Sequence, residues 1–272
     1  MTLYPGSLLY SLKGRRALYA SIIDGVNRSY SRALPAVARM GFTIRLDPNN
    51  GFQSAWLASG VWEPEVTSVI LSIIGRGMTF VDVGANNGYY TLLAAEKVGT
   101  EGHVYSFEPF PENYACFASS VADNRFGNVM LIDSAVSQTL GCMRLYNHSA
   151  NTDHSLVRNS GRGHTMVKAV TIDSLGLTLI DILKIDVEGA EPLVLVGTTS
   201  MVKRKAVRHI VFEWNPSLWE GHSELVEELD NAYEVFELRY TSMKVLRHTS
   251  PRNVVKSGLH DAHDVHLRLK AP

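Results

Sequence analysis

The stretch Thr79-Phe80-Val81-Asp82-Val83-Gly84-Ala85-Asn86-Asn87-Gly88-Tyr89-Tyr90 decides the fold. Thr79–Val83 is a short apolar run closed by glycine, the pattern of a buried strand, and Tyr89–Val98 reads as a helix. Gly84 and Gly88 let the backbone between them turn sharply and approach a ligand closely, while the helix start offers N–H groups. Working outward, His103–Phe107, Asn128–Ile132, Asp181–Val187 and Val207–Glu213 read as further strands. Helices are expected over Glu112–Ala122, Glu191–Lys203 and Ser223–Ala232. Leu140–Tyr146 and Met166–Ile172 form a β excursion around a polar loop, and strands near Glu234–Leu238 and Val265–Leu269 complete the set. This alternation predicts an α/β fold: a doubly wound, mostly parallel, seven-stranded Rossmann-like sheet with its ligand beyond the carboxyl ends of the strands.

The glycine spacing Gly84-x-x-x-Gly88 is neither the G-x-G-x-x-G of dinucleotide sites nor the GK[ST] of a P-loop. No Lys or Arg lies between Met78 and Glu96, although a phosphate ligand would gain from one. Asp82 instead brings a carboxylate to the strand end, where it would attract a cation. A cationic, phosphate-free ligand fits both facts, and S-adenosylmethionine has that character. Glu108 closes the second strand, where an acid can accept two ribose hydroxyls, and Pro109 stops the strand. Asp133, Ser134 and Ala135 follow the third strand, at the expected place of an adenine edge. Gly84, Ala85, Asn86, Gly88, Tyr89 and Asp186 complete the expected cofactor contacts.

Gly60-Val61-Trp62-Glu63-Pro64, Val81–Tyr90, Phe107-Glu108-Pro109-Phe110-Pro111 and Lys184-Ile185-Asp186-Val187-Glu188-Gly189-Ala190-Glu191 together resemble the FkbM-type family of S-adenosylmethionine-dependent methyltransferases. The resemblance runs from about Phe42 to Trp214, with Glu213 as the acid at a strand end. One departure is the family's Leu-x-x-Asn helix end, loosened here to Ser119–Asn124. The resemblance implies a class I methyltransferase fold and O-methylation of a sugar, polyketide or similar small-molecule hydroxyl.

Lys184, Asp186 and Glu188 share one face of the fourth strand by period-2 parity. Charges inside a parallel strand are costly without partners, so a buried Lys184–Asp186 or Lys184–Glu213 pair and a catalytic cluster are both open readings. Methyl transfer to a hydroxyl needs in-line alignment and removal of a proton. Asp186, Glu188, Glu213 and Lys184 are therefore candidate catalytic groups, as is His154 beside Asp153 in the polar loop 147–164. Asp186, Glu213 and Asn215 supply hard oxygens suited to magnesium, a second candidate cofactor. The alternatives are a non-catalytic cofactor-binding scaffold, or a methyltransferase acting on a carboxyl or nitrogen acceptor. A DNA-base enzyme is disfavoured, since Asn215-Pro216-Ser217-Leu218 lacks the second proline and the aromatic of an Asn/Asp-Pro-Pro-aromatic motif.

The 272 residues are 45% hydrophobic and 19% charged with a net charge of -1, which excludes a disordered chain and argues against nucleic acid as a partner. Residues 1–46 nevertheless hold seven basic residues and one acid, against 19 basic and 26 acidic residues in the remainder. The expected organisation is a helical, basic extension or lid over residues 1–60 and a cofactor-binding domain over 61–272. Leu18, Ile22, Ile23, Val26 and Tyr30 form its apolar stripe, and Arg15 and Arg16 leave peripheral membrane contact open. No apolar run approaches the roughly 20 residues of a bilayer span, and a cytoplasmic location and a small-molecule or sugar substrate are expected, with a homo-oligomer open. Cys116 and Cys142 are expected as free buried thiols. His260, His263 and His266 suggest a metal, but the alternation of Val265, Leu267 and Leu269 places His266 on a wet face.

Overall fold

A computed structural model describes residues 36–39, 41–45, 62–147, 154–238, 247–249 and 263–271. Two short strands, Ala36–Arg39 (β1) and Phe42–Arg45 (β2), pair antiparallel. Helix α1, Pro64–Ile73, starts on a proline whose fixed φ suits the first turn. Then come β3 (Thr79–Val83), α2 (Tyr89–Val98), β4 (His103–Phe107), α3 (Pro111–Asn124) and β5 (Val129–Ile132). A side sheet follows, made of β6 (Ser134–Val136), β7 (Gly141–Tyr146) and β8 (His164–Val170) in the order β6-β8-β7. The chain returns through β9 (Ile180–Ile185), α4 (Glu191–Val196), α5 (Thr199–Lys203), β10 (Val207–Trp214), α6 (Ser223–Ala232), β11 (Tyr233–Glu237), β12 (Arg247–Thr249) and β13 (His263–Leu269).

The main sheet runs β12-β11-β13-β10-β9-β3-β4-β5. Five neighbours from β10 to β5 are parallel, and β13 turns antiparallel against β10. The doubly wound class is as expected, with the short β12 as an eighth strand. Both faces are covered, as a parallel sheet requires. Val81, Val83, Leu183, Ile185, Ile210 and Phe212 pack under α4, α5 and α6. Phe80, Ile182 and Val211 pack on the opposite face with Val66 and Ile70 of α1, Leu92 and Leu93 of α2 and Phe42 and Ile44 of β2. The β1–β2 hairpin thus falls inside the segment expected to be helical. It is tied to α3 by Asn124, whose Oδ1 accepts from Thr43 N at 2.7 Å, and by the Arg45–Asp123 ion pair.

Three expectations change. The helix expected over Glu191–Lys203 is two helices broken at Gly197-Thr198, glycine being a weak helix former. His266 is not on a wet face: it is 4% exposed, because His209 and Phe236 cover its ring, whereas Arg268 on the same face is exposed. Cys142 is exposed rather than buried. The apolar stripe of Leu18–Tyr30, Arg15, Arg16, His260, Gly60, Val61, His148 and Asp153 lie outside the described residues. Among the described residues no helix is long and apolar enough to cross a membrane.

Candidate functional site

The turn after β3 places its backbone at the carboxyl end of the sheet. Gly84 has φ +80°, and a Cβ there would stand 1.8 Å from the Asp186 carbonyl oxygen. Gly88 has φ +88°, and a Cβ would stand 2.2 Å from the Phe117 ring. The sharp turn is as expected, but the close approach these two glycines permit is to the chain's own Asp186 backbone and Phe117 ring. Gly84 still borders a cavity of about 430 Å³ that opens beyond β3, β4 and β9, as do Ala85, Asn86, Tyr89 and Pro109. Gly88 does not border it.

Glu108 lines this cavity while 4% exposed. Its Oε2 accepts from Asn86 N at 2.8 Å and its Oε1 from Phe110 N at 2.9 Å. The Asn113 side chain hydrogen-bonds the same carboxylate, so of about four lone-pair positions one is left for a ligand hydroxyl. Burial raises the Glu108 pKa to about 7, against these backbone hydrogen bonds. Asn87, 4% exposed, also lines the cavity, and its Nδ2 is buried without a hydrogen-bond partner among the described residues. An orphaned buried donor is costly unless something fills the site. Ser134, Ala135, Val136, Leu145 and Leu156 form the apolar end of the cavity. The His154 ring lies there too, its centroid 3.7 Å from that of Phe110. Ser155 fastens this loop to the opposite wall, donating to the Glu188 carbonyl at 2.8 Å.

Two further expected ligands of the donor do not reach the cavity. Asp82 is fully buried and faces inward under α2, accepting from Thr91 Oγ1 at 2.7 Å with Lys184 Nζ at 3.8 Å. Its register partner on β9 is Lys184, so both project on the same face of the sheet. Asp133 lies at the surface, 3.4 Å from Lys168 Nζ, because the strand exit turns its side chain outward.

Lys184, 4% exposed, is held by Asp186 at 3.1 Å and by Asp82, and its ammonium stands 4.7 Å over the Tyr90 ring. Burial alone would lower its pKa, yet Asp186, Asp82 and Glu63 together raise it above the ordinary lysine value. The open pairing thus resolves to Lys184–Asp186–Asp82. Behind these residues the cavity adjoins a polar recess of about 200 Å³. Glu213 at the end of β10, Asp264 of β13 and Arg158 line the recess alone. Glu63, Lys184, Asp186 and Glu188 border both spaces. Burial, followed by Glu63, Asp186 and Glu213, raises the Asp264 carboxyl well above its usual range. Glu188 stands 3.4 Å from Arg158.

The expected magnesium trio is not assembled. Asn215 spends its Oδ1 on the turn Pro216–Leu218, accepting from Ser217 N at 3.2 Å and Ser217 Oγ at 2.8 Å. Among the described residues no group of three or more His, Cys, Asp or Glu is placed to hold a metal ion. Sequence reasoning missed Asn87, Tyr90 and the site role of Glu63 and Asp264. For Glu63 a signal existed: an acid directly before a helix-starting proline, inside a quoted motif.

The model of the methyltransferase FkbM domain matches residues 82–239. A protein-L-isoaspartate O-methyltransferase of Methanothrix thermoacetophila is 39% identical over 57 residues, or 21% of this chain. The chain spans only 27% of the length of that curated relative. Among solved structures, a methyltransferase FkbM from Methylobacillus flagellatus KT is 14% identical at a TM-score of 0.44, covering 70% of this chain and 43% of that one. An rRNA methylase from Streptococcus thermophilus is 11% identical at a TM-score of 0.43, covering 75% and 93%.

Proposed function

Because the chain belongs to the FkbM methyltransferase family, we propose that it is an S-adenosylmethionine-dependent methyltransferase acting on a hydroxyl oxygen of a sugar or similar small molecule. The observation that carries this reading is the pairing of an apolar-ended cavity, carrying a buried carboxylate, with a polar recess at the strand ends. The buried groups suit the donor: Glu108 has a carboxylate position for a ribose hydroxyl, Asn87 an unused amide donor, and Leu145, Leu156 and Ala135 an apolar sleeve for a purine. When bound, S-adenosylmethionine supplies an electrophilic methyl group whose transfer to a hydroxyl leaves a neutral thioether and one proton to be removed. The chain's own residues hold the acceptor and deal with that proton. Asp186, clamped by Lys184, and Glu213 face the recess, where their oxygens accept hydrogen bonds from neighbouring hydroxyls and fix the reacting one in line. Lys184 holds Asp186 in place, while its own charge is spread over two carboxylates and the Tyr90 ring.

The test has two stages. Calorimetry with S-adenosylhomocysteine should give saturable 1:1 binding that Glu108→Ala weakens. Methyl-labelled donor incubated with methyl glycosides and with matched primary amines and carboxylates should label the glycosides. Labelling of amines or carboxylates instead would reject the hydroxyl acceptor, and failure to bind the thioether would reject the whole reading.

A further inference from the structure

We propose that Glu63 is the proton acceptor of the transfer and Tyr90 its positioning residue, an inference that rests on the methyltransferase reading above. Four side chains border both the cavity and the recess, the position from which a group faces donor and acceptor together: Glu63, Lys184, Asp186 and Glu188. Three are engaged with opposite charges, Lys184 with Asp186 at 3.1 Å and Glu188 with Arg158 at 3.4 Å. Glu63 instead receives a hydroxyl, from Tyr90 Oη to its Oε2 at 2.8 Å. A carboxylate held by a neutral donor can take up a proton without breaking an ion pair.

The backbone adds an independent argument. A residue before proline favours extended conformations, yet Glu63 sits at φ 40°, ψ 75° before Pro64. A left-handed non-glycine residue costs on the order of 1–3 kcal/mol, and such strain concentrates where a side chain must be aimed. Here it turns the carboxylate back from the start of α1 into the junction of the two spaces.

The charged groups around Glu63 are Asp186 and Lys184 from β9 and its exit, Glu213 from β10, Asp264 from β13 and Tyr90 from α2. Burial, then Asp186, raises the Glu63 pKa to about 7, with Lys184 and the Tyr90 hydrogen bond pulling it down. A general base works best when its pKa lies near the operating pH. In the transfer the acceptor oxygen forms the new bond to carbon and the pair of the broken carbon–sulfur bond stays on sulfur. The hydroxyl proton passes to a Glu63 carboxylate oxygen.

The deciding measurement is a pH titration of carboxyl-¹³C glutamate in the intact protein, with the Glu63 signal assigned by its loss in Glu63→Gln. The Glu63 signal should titrate near 7. Glu63→Gln should bind S-adenosylhomocysteine within about threefold of the parent, and on a labelled glycoside it should lose ~10²–10⁴-fold in kcat with little change in KM. It should also lose the acidic limb of the pH–rate profile. Tyr90→Phe should move that limb to higher pH, since it removes a bond that lowers the Glu63 pKa; a merely structural tyrosine would not. Titration below about 5, or an affinity loss beyond ~30-fold in Glu63→Gln, would overturn the proposal, the latter by making Glu63 a ligand of the donor. If the variant does not fold, other glutamate variants assign the signal by elimination, and the parent's titration with the Tyr90→Phe profile decides. Failure of the parent itself to bind the thioether is a separate outcome that removes the methyltransferase reading and this inference with it.

Discussion

Lys184 is a buried cation whose surroundings make it indispensable to the fold before any chemistry begins. Its removal strands Asp82, fully buried, and leaves Asp186 without its partner. Lys184→Met is therefore expected to destabilise by about 3–5 kcal/mol, the usual cost of breaking a buried pair from one side, and urea unfolding would measure it. Glu108 gives a second prediction. Burial lifts its pKa to about 7, and a ribose hydroxyl donates to the ionised form. Affinity for S-adenosylhomocysteine should hold above pH 7 and fall toward about tenfold per pH unit below it. Glu108→Gln should bind weakly at every pH, and a parent affinity flat from pH 5.5 to 8.5 would contradict the assignment. Glu108 was legible in the sequence because a strand-closing acid before proline has one obvious direction to face. Asp82 was not, because its side chain is set by the register that puts it opposite Lys184, about a hundred residues away.

At the scale of elements, the turn between β3 and α2 rests on two glycines that differ in what crowds them. The obstacle at Gly84 is backbone, the Asp186 carbonyl, and at Gly88 it is a side chain, the Phe117 ring. Gly84→Ala should prevent folding whatever its surroundings. Gly88→Ala should destabilise, and Phe117→Leu in the same chain should recover part of the loss, leaving the residual cost of a left-handed alanine, about 1 kcal/mol. Thermal melts of the three variants check this; no recovery would mean that the ring is not the obstacle. Strands and helices over residues 79–132 were readable because each is short, bounded by glycine or proline and of one period. The split between α4 and α5 was not, because Gly197-Thr198 sits inside an otherwise continuous helical pattern. The β1–β2 hairpin was hidden for a different reason: its two four-residue strands find partners in Asn124 and Asp123, far along the chain.

Across the whole molecule, two buried titratable groups give opposing pH responses. His266, buried with its Nε2 3.0 Å from His209 Nδ1, is lowered to about 4 by burial and by His209 and Arg268. Its folded pKa is depressed below the unfolded value, so the unfolded chain binds the extra proton between about pH 6.5 and 4, and stability is lost as the pH falls through that window. Glu191 accepts from Val187 N and Gly189 N and is raised to about 7 by burial. Its contribution is complete below about pH 4.5 and is lost as the pH rises through 7. In His266→Leu the first response should vanish while the second remains. The difference between variant and parent stability should thus widen in the variant's favour from pH 6.5 to 4, and an unchanged difference would refute it. Sequence alternation read β13 correctly as a strand but not the burial of His266, since β13 is inserted between β10 and β11, whose His209 and Phe236 cover that ring.

The walls of the recess have an evolutionary corollary. Asp264 stands at its edge, yet lies outside the stretch 82–239 that ties the chain to its relatives. On the proposed reading that stretch carries the machinery for the donor, while part of the acceptor's enclosure is drawn from flanking sequence. Kinship over 82–239 then groups proteins by the methyl source they share, and exchanging the flanks between two of them should exchange what they methylate.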